Sequence, residues 1–143
     1  MADEPRVVVD TNIVVSGLMT SATPPARTLD AVRRKQIVWL VSDDVVLEYL
    51  RVLDYPRIRK YKAITDEAIR DLTWLFIGEA ERVEVLNRIK KSPDPDDDDF
   101  LSLAVEGKAD FLVTGDKGDL LSLKAIEKIP ILTAREAVER LGL

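Results

Sequence analysis

Cysteine and histidine are both absent from this sequence, and their absence excludes several kinds of chemistry. A chain without cysteine has no disulfide framework, no zinc–thiolate site and no thiol nucleophile. A chain without histidine cannot be a nuclease with a histidine acid and base, a Ser-His-Asp hydrolase or a protein with a histidine-ligated metal. If the protein is an enzyme, carboxylates or lysines must therefore carry its chemistry.

Long hydrophobic runs are missing as well. No run approaches the roughly 20 apolar residues that span a membrane. The first apolar run is short, follows Asp3 and Glu4, and ends at an aspartate, unlike the core of a signal peptide. We therefore expect a cytoplasmic protein with no membrane association. The 143 residues, 46% of them hydrophobic, suffice for one sizeable core, so we expect a single domain over residues 1–143.

Short apolar runs alternate with segments of helical periodicity along the chain. Helix N-caps are predicted at Thr23, Ser42 and Thr133, and further helices are predicted over about 65–80 and 97–107. Strands that alternate with helices and read as continuous apolar runs favour a parallel sheet covered on both faces, hence a three-layer α/β/α sandwich. The predicted strands are Arg6–Asp10, Ile37–Val41, Val83–Leu86, Phe111–Thr114 and Pro130–Leu132.

Acidic residues follow these strands at places that a parallel sheet brings together. Asp10 ends the first strand, Glu48 lies in the helix after the second, and Asp116 follows the fourth. The aspartate run, Asp94 and Asp96–Asp99, leads into the helix before the fourth strand. Because functional groups of such sheets gather at the carboxyl ends of the strands, all four regions can converge on one edge.

Each of these residues alone has an ordinary structural explanation. A strand-terminal aspartate is often a turn former, and acidic residues are favourable in the first turn of a helix. Their joint placement favours a metal site, because carboxylates brought close together repel one another and require a compensating cation. Oxygen ligands without sulfur or imidazole suit Mg²⁺ or Mn²⁺, and such ions support phosphoryl chemistry.

Three stretches of the chain together resemble the PIN domain family: "VVVDTNIVVSG", "VLEYLRVL" and "DPDDDDFLSLAVEGKADFLVTGD". They occur in order and, with the rest of the match, cover the chain from Arg6 to about Leu132. Within the family the chain is most similar to the branch described as toxins of bacterial and archaeal toxin–antitoxin systems. The resemblance implies a Rossmann-like fold and a metal-dependent ribonuclease acting on single-stranded RNA, the toxin of a type II pair.

The resemblance also implies roles for particular residues of this chain. The register of the third acid selects Asp97, with Asp98 as a close competitor for metal binding because the aspartates are consecutive. Two polar residues, Asn12 and Thr114, would orient the carboxylates by hydrogen bonds. The implied catalytic acids are Asp10, Glu48, Asp97 and Asp116, of which Asp10, Asp97 and Asp116 would hold Mg²⁺ or Mn²⁺.

An anionic site that acts on RNA needs basic groups nearby, although the net charge of −5 argues against a broad non-specific nucleic-acid surface. The segment Tyr55–Lys62 interleaves basic residues with two tyrosines, which suits phosphate contacts and base stacking. A solvated loop between helices is the competing interpretation. The candidate RNA-binding residues are Arg57, Arg59, Lys60 and Lys117.

Other functions fit the sequence less well. A phosphotransferase of haloacid dehalogenase type needs a second aspartate where Asn12 stands, and a phospho-receiver domain needs an aspartate that "VEVLN" does not offer. The remaining alternative is a catalytically silent PIN-fold module that binds RNA or protein. The resemblance further implies a homodimer and a cognate antitoxin whose C-terminal segment would occlude the acidic groove.

Overall fold

The structure, a computed structural model, describes residues 4–115 and 119–143. Its strands form a six-stranded sheet in the order β3-β2-β1-β4-β6-β5. Neighbouring strands pair parallel except β5 and β6, which are antiparallel, so the predicted parallel sheet is confirmed with one antiparallel edge. The strands are β1 (Arg6–Val9), β2 (Val38–Val41), β3 (Glu81–Arg82), β4 (Phe111–Val113), β5 (Ala125–Ile126) and β6 (Ile129–Leu132).

The helices are α1 (Thr11–Met19), α2 (Pro24–Arg33), α3 (Asp43–Leu53), α4 (Pro56–Arg59), α5 (Asp66–Gly78), α6 (Pro95–Glu106), α7 (Asp119–Leu123) and α8 (Ala134–Leu141). In one group α2 packs against α1 and α8; in the other α3 packs against α5 and α6. The predicted α/β/α sandwich is confirmed. Among the described residues, no helix has the length and apolar character needed to cross a membrane.

The central strand, β1, is buried along its length. Val7, Val8 and Val9 are fully buried, and Val7 pairs with Trp39 on one side and Phe111 on the other. Both faces of the strand are therefore covered, which is why the sequence here reads as a continuous apolar run and not as an alternating one. The carboxyl end of the strand therefore lies in the interior.

An aromatic cluster ties α3 to the end of this strand. The rings of Trp39, Tyr49 and Phe76 lie with centroids 5.1–5.7 Å apart. The Tyr49 hydroxyl donates to the carbonyl of Val9 and accepts from Trp39 Nε1 at 3.4 Å. Burial raises the pKa of Tyr49, so this hydroxyl stays protonated and remains a donor. The α3 helix is thereby fixed relative to the last residue of β1.

Several helix boundaries predicted from the sequence are confirmed. Thr23, Ser42 and Thr65 each accept a hydrogen bond from the first turn of their helix, and Thr133 forms a complete capping box with Glu136. The fourth predicted helix begins at Pro95, two residues before the expected start. The elements without a sequence prediction are α1, α4, α7 and β5.

The predicted strand Val83–Leu86 is wrong. The strand in this region is the two exposed residues of β3, and pairing with β2 ends where Val83 N–H donates to the carbonyl of Val41 at 2.7 Å. Beyond that point the carboxylate of Glu106 accepts from the backbone N–H groups of Leu86 and Asn87. A side chain thus supplies the hydrogen bonds that a strand partner would otherwise supply.

Gly17 lies where α1 approaches α2 closely. A Cβ at this position would meet Leu29 Cδ1 at 2.6 Å and the carbonyl of Pro25 at 3.0 Å, whereas a Cβ at Gly78 in α5 would meet nothing within 4 Å.

We expect Gly17→Ala to destabilise the fold by about 1–3 kcal/mol, because overpacking outweighs the gain in helix propensity. Urea unfolding measures the change. The matched control, Gly78→Ala, gains propensity alone, and equal effects of the two substitutions would contradict the packing argument.

Candidate active site

Asp10 lies at the point where β1 becomes α1. Its backbone N–H still donates to Val113 in β4 at 2.9 Å, and its side chain already caps the helix by accepting from Thr11 N–H at 2.7 Å. The second carboxylate oxygen accepts from Thr114 Oγ1 at 2.7 Å. Asp10 is 7% exposed and Thr114 is fully buried, so the carboxylate is held firmly in a largely dehydrated position.

Asn12 holds the loop after β4. Its side-chain oxygen accepts from the backbone N–H of Gly115 at 3.0 Å. Its described contact is therefore with the loop backbone and not with a carboxylate. Asp116 and Lys117, two predicted site residues, come next in the sequence and lie outside the described residues.

Glu48 faces the same region from α3 and shares a cation with Asp96. Arg51, one turn later in α3, donates to Glu48 Oε2 at 2.5 Å and to Asp96 Oδ2 at 3.1 Å. Glu48 is only 8% exposed. Burial, followed by repulsion from Asp96, raises the pKa of Glu48 to about 7, and Arg51 offsets part of this shift. In the protein without metal, Glu48 therefore sits near the midpoint of its titration at neutral pH.

The aspartate run supplies side chains with different partners. Asp94 caps α6 by accepting from Asp96 N–H at 2.9 Å. Asp97, 8% exposed, accepts from Ser92 Oγ at 3.2 Å. Asp98, 7% exposed, accepts from the backbone N–H groups of Lys91 and Ser92 at 2.9 and 2.8 Å, so it anchors the preceding loop. Asp99 pairs with Arg88, and burial raises the pKa of the Asp99 carboxyl.

A cavity of about 480 Å³ joins these elements at the carboxyl edge of the sheet. Its acidic end contains side chains from the end of β1, from α3 and from the start of α6. Asp98 and Thr114 are not in its wall. The acids that line it are Asp10, Glu48, Asp94, Asp96 and Asp97.

The predicted basic residues lie in different settings. Arg57 lines the cavity, stands 5.5 Å from the centre of the Tyr55 ring, and makes no ion pair with any residue in the described ranges. Arg59 instead pairs with Asp66 and lies 3.9 Å from Asp54. Lys60 is exposed and is not part of the cavity wall.

The residues of the cavity fit a divalent cation by the chemistry of their donors. All the acidic groups offer oxygen, which suits Mg²⁺ and Mn²⁺. Thr11 Oγ1, in the same wall, is buried and has no hydrogen-bond partner within residues 4–115 and 119–143. Over those ranges no three acidic side chains are grouped closely enough to hold an ion. Asp10, Glu48 and Asp97 thus face one cavity without forming a closed ligand set by themselves.

Comparison with known proteins identifies the fold that carries this cavity. The sequence profile of the PIN domain matches residues 6–118. The chain belongs to the PIN domain family. It is 31% identical over 119 residues to the uncharacterised protein MJ1680 of Methanocaldococcus jannaschii, a match that covers 83% of this chain and 75% of the relative. PIN domains are generally nucleases.

The PIN domain fold is also supported by a solved structure. The chain is similar to the crystal structure of VapBC2 from Rickettsia felis bound to a DNA fragment from their promoter, with a TM-score of 0.58. The match covers 90% of this chain and 98% of the solved one at 15% sequence identity, so it shows the fold alone.

Arg51 is a residue of this PIN domain that the sequence prediction missed. Its spacing of three from Glu48 is the separation at which a helix brings an acid and a base together, and this spacing could have indicated the pair. Its second partner, Asp96, is 45 positions away in the sequence, and no local pattern indicates that contact. Asp94 and Asp96 were predicted only as members of the aspartate run.

The shifted pKa of Glu48 makes the stability of the metal-free PIN domain depend on pH. In the unfolded chain Glu48 titrates near its usual 4.5 and in the folded chain at about 7, so between these values the folded state binds more protons. The free energy of unfolding therefore falls as pH rises through this window. We expect Glu48→Gln to flatten part of this decline in urea unfolding with EDTA. Glu67→Gln is the matched charge-removal control, and parallel profiles for Glu48→Gln and wild type would contradict the shift.

Proposed function

We propose that this PIN domain is a divalent-metal-dependent endoribonuclease that hydrolyses single-stranded RNA and is the toxin of a type II toxin–antitoxin pair. The observation that carries the proposal is the convergence of three buried carboxylates, Asp10, Glu48 and Asp97, on one cavity at the carboxyl edge of the sheet. Buried carboxylates repel one another. Arg51 pairs with one of the three, Glu48, and with the neighbouring Asp96.

Asp10, Asp97 and Asp116 would hold Mg²⁺ or Mn²⁺. The bound ion would lower the pKa of a water molecule and neutralise charge that develops on the phosphate. Thr114 and the N–H of Thr11 fix both oxygens of Asp10, so that ligand needs little reorganisation. The wall position of Asp97 supports it over Asp98, whose carboxylate is used by the loop backbone.

Glu48 would take the proton of the attacking water at its carboxylate. Burial raises the pKa of Glu48 in the metal-free protein, which makes its carboxylate a better proton acceptor than an exposed glutamate. The water attacks the phosphate in line, and the products carry a 5′-phosphate and a 3′-hydroxyl. Because water is the nucleophile, the 2′-hydroxyl of RNA takes no part in bond cleavage. Arg57 at the cavity would contact a backbone phosphate of the substrate.

The partners we propose are a cognate antitoxin and a second copy of the chain. The resemblance to the toxin branch and the fold likeness to VapBC2 support the antitoxin, whose C-terminal segment would cover the acidic cavity. An apolar groove of about 620 Å³ between α3 and α5 supports the homodimer. Leu47 and Ile77 in its wall are 64% and 72% exposed, an arrangement typical of a protein contact.

A catalytically silent PIN-fold module that binds RNA or protein is the second candidate. It retains the fold and the groove and requires no metal. The two candidates are distinguished by a cleavage assay, since the silent module leaves RNA intact whether or not a divalent metal is present.

The nuclease proposal is tested with purified protein and a labelled, unstructured single-stranded RNA in Mn²⁺ or Mg²⁺, with EDTA as the metal-free control. We expect cleavage that Asp10→Asn and Asp97→Asn each reduce by about 100-fold or more, since even residues that only support a ligand cost about 10- to 100-fold. Asp98→Asn is the matched control: its amide oxygen still accepts from the loop backbone, so activity should stay near wild type.

The outcomes separate the alternatives when circular dichroism shows that all variants are folded. Activity lost in Asp98→Asn and kept in Asp97→Asn would reverse the assignment of the third acid. Cleavage unaffected by Asp10→Asn would indicate a contaminant, and intact RNA would favour the silent module. An RNA with a single 2′-deoxy sugar at the cleaved position should still be cut, and protection by that sugar would contradict a water nucleophile.

The homodimer is tested by the molar mass in solution. We expect wild type to sediment as a dimer and Ile77→Glu to sediment as a monomer, because a charge placed in the apolar groove opposes burial of that face. Leu86→Glu is the matched control, since Leu86 is equally exposed at 72% and is not in the wall of the groove. A monomeric wild type, or dimers in all three proteins, would contradict this interface.

A further inference from the structure

The acidic cavity has a second end with a different character. Beyond the carboxylates, its wall is formed by Val15, Val52, Ile58, Phe100 and the ring of Tyr61. Val15 and Phe100 are nearly fully buried, Val52 and Ile58 are half-buried, and Tyr61 is 48% exposed at the mouth. A single cavity of about 480 Å³ therefore combines an anionic end with an apolar, partly aromatic end.

The two ends are related by helix geometry. In α1, α3 and α6, a polar or acidic wall residue is followed four positions later by an apolar wall residue. The pairs are Thr11 with Val15, Glu48 with Val52, and Asp96 with Phe100. Residues four apart lie on the same face of a helix, about one turn or 5.4 Å along it. The apolar surface thus begins about one helical turn from a carboxylate on α3 and α6, and about one turn from the Thr11 hydroxyl on α1.

Tyr61 is held at the mouth of the cavity by the segment around it. Its backbone N–H donates to Ile58 at 3.1 Å, and its carbonyl accepts from Ile64 N–H at 3.0 Å. Arg59, two residues earlier, is anchored to Asp66 at the start of α5. Within the described ranges the Tyr61 hydroxyl has no hydrogen-bond partner, so the core does not use this ring's polar atom.

We propose that the apolar end is a nucleobase subsite, in which the base next to the cleaved phosphate stacks on Tyr61 and lies against Ile58 and Val52. This inference rests on the proposed nuclease function and adds to it a position where substrate is recognised. An apolar surface about one turn from the phosphate-binding end suits a nucleotide, because the sugar separates the phosphate from its base. Arg57, which lines the wall and makes no ion pair within residues 4–115 and 119–143, is available to the adjoining phosphate.

Stacking on an aromatic ring tolerates every base, since each base has a flat π surface. The subsite therefore requires that a base be present and selects little among bases. An apolar side chain of a protein inhibitor could also fill such a cavity, but it carries no phosphate for Arg57, which lines the same wall and makes no ion pair within the described residues. The observations therefore favour a nucleobase over a peptide side chain.

The experiment measures RNA affinity by fluorescence anisotropy in the full chain carrying Asp10→Asn, which slows cleavage. In that background we expect Tyr61→Ala to weaken binding of single-stranded RNA by about 5- to 100-fold and Tyr61→Phe to bind within about twofold of the parent. The matched control, Trp74→Ala, removes an aromatic ring that is 65% exposed on α5 and outside the cavity wall, and it should leave affinity unchanged.

A single abasic position, moved stepwise along the RNA, locates the subsite. At one position in the RNA, removal of the base should weaken binding as much as Tyr61→Ala does. At that position Tyr61→Ala and the abasic RNA together should weaken binding no more than either change alone. In the active chain, Tyr61→Ala should raise KM more than it lowers kcat, as expected when a non-reacting part of the substrate loses its contact.

The two proposals fail in different ways. If the Asp10→Asn parent binds RNA and the wild-type chain cleaves it, while Tyr61→Ala behaves like Tyr61→Phe, the subsite is overturned and the nuclease stands. If abasic RNA and Tyr61→Ala have additive effects at every position, Tyr61 does not contact a base and the subsite is likewise overturned. If the Asp10→Asn parent binds no single-stranded RNA and the wild-type chain cleaves none, the nuclease proposal fails and the subsite fails with it.

Discussion

The position of β1 at the centre of the sheet is the constraint on which the rest of the structure depends. With β2 and β4 paired on its two sides and helices over its faces, the strand can end only inside the protein. Asp10 is consequently delivered into an interior where a lone carboxylate is costly. Hydrogen bonds offset the desolvation of this carboxylate, because Thr11 N–H and the Thr114 hydroxyl donate to its two oxygens. The Tyr49 hydroxyl satisfies the carbonyl just before it and fixes α3 against the same strand end.

Electrostatic repulsion at this strand end is relieved by local arrangements. Arg51 bridges Glu48 and Asp96 across two helices. Asp98 has no ion pair within the described residues, and its carboxylate is stabilised by two backbone N–H groups. Consecutive aspartates thus have different environments, because a helix turns each residue by about 100° from the last. The aspartates of this short run therefore have three different roles: one caps α6, one lines the cavity, and one anchors the preceding loop. Burial, together with the repulsion from Asp96 that Arg51 offsets only in part, raises the pKa of Glu48.

The fold class and most helix starts could be predicted because they rest on local signals: apolar runs, capping residues and spacing. The missed elements lack such signals. Helix α1 follows β1 without a linker and contains valines and a glycine, which favour other conformations. Strand β3 consists of two residues, both exposed, so it has no apolar pattern. The turn of the β5–β6 hairpin is formed by Glu127 and Lys128, which both have positive φ, whereas Asn-Gly is the sequence expected at such a turn. At the site, the acids could be located by strand order, and Tyr61 belongs to the segment Tyr55–Lys62 that the sequence indicated for base stacking. The place of Tyr61 in the cavity wall and the contact of Arg51 with Asp96 depend on tertiary structure.

The absence of a linker between β1 and α1 also limits how this protein can change over evolutionary time. The N–H of Asp10 donates to the neighbouring strand and its side chain caps α1, so no residue separates the end of the sheet hydrogen bonding from the start of the helix. An insertion of one residue would rotate every side chain of α1 by about 100° and would pull Gly17 out of its close fit against α2. We therefore expect insertions to be better tolerated in other segments, such as 83–94, where side chains accept many of the backbone hydrogen bonds and can be replaced one at a time.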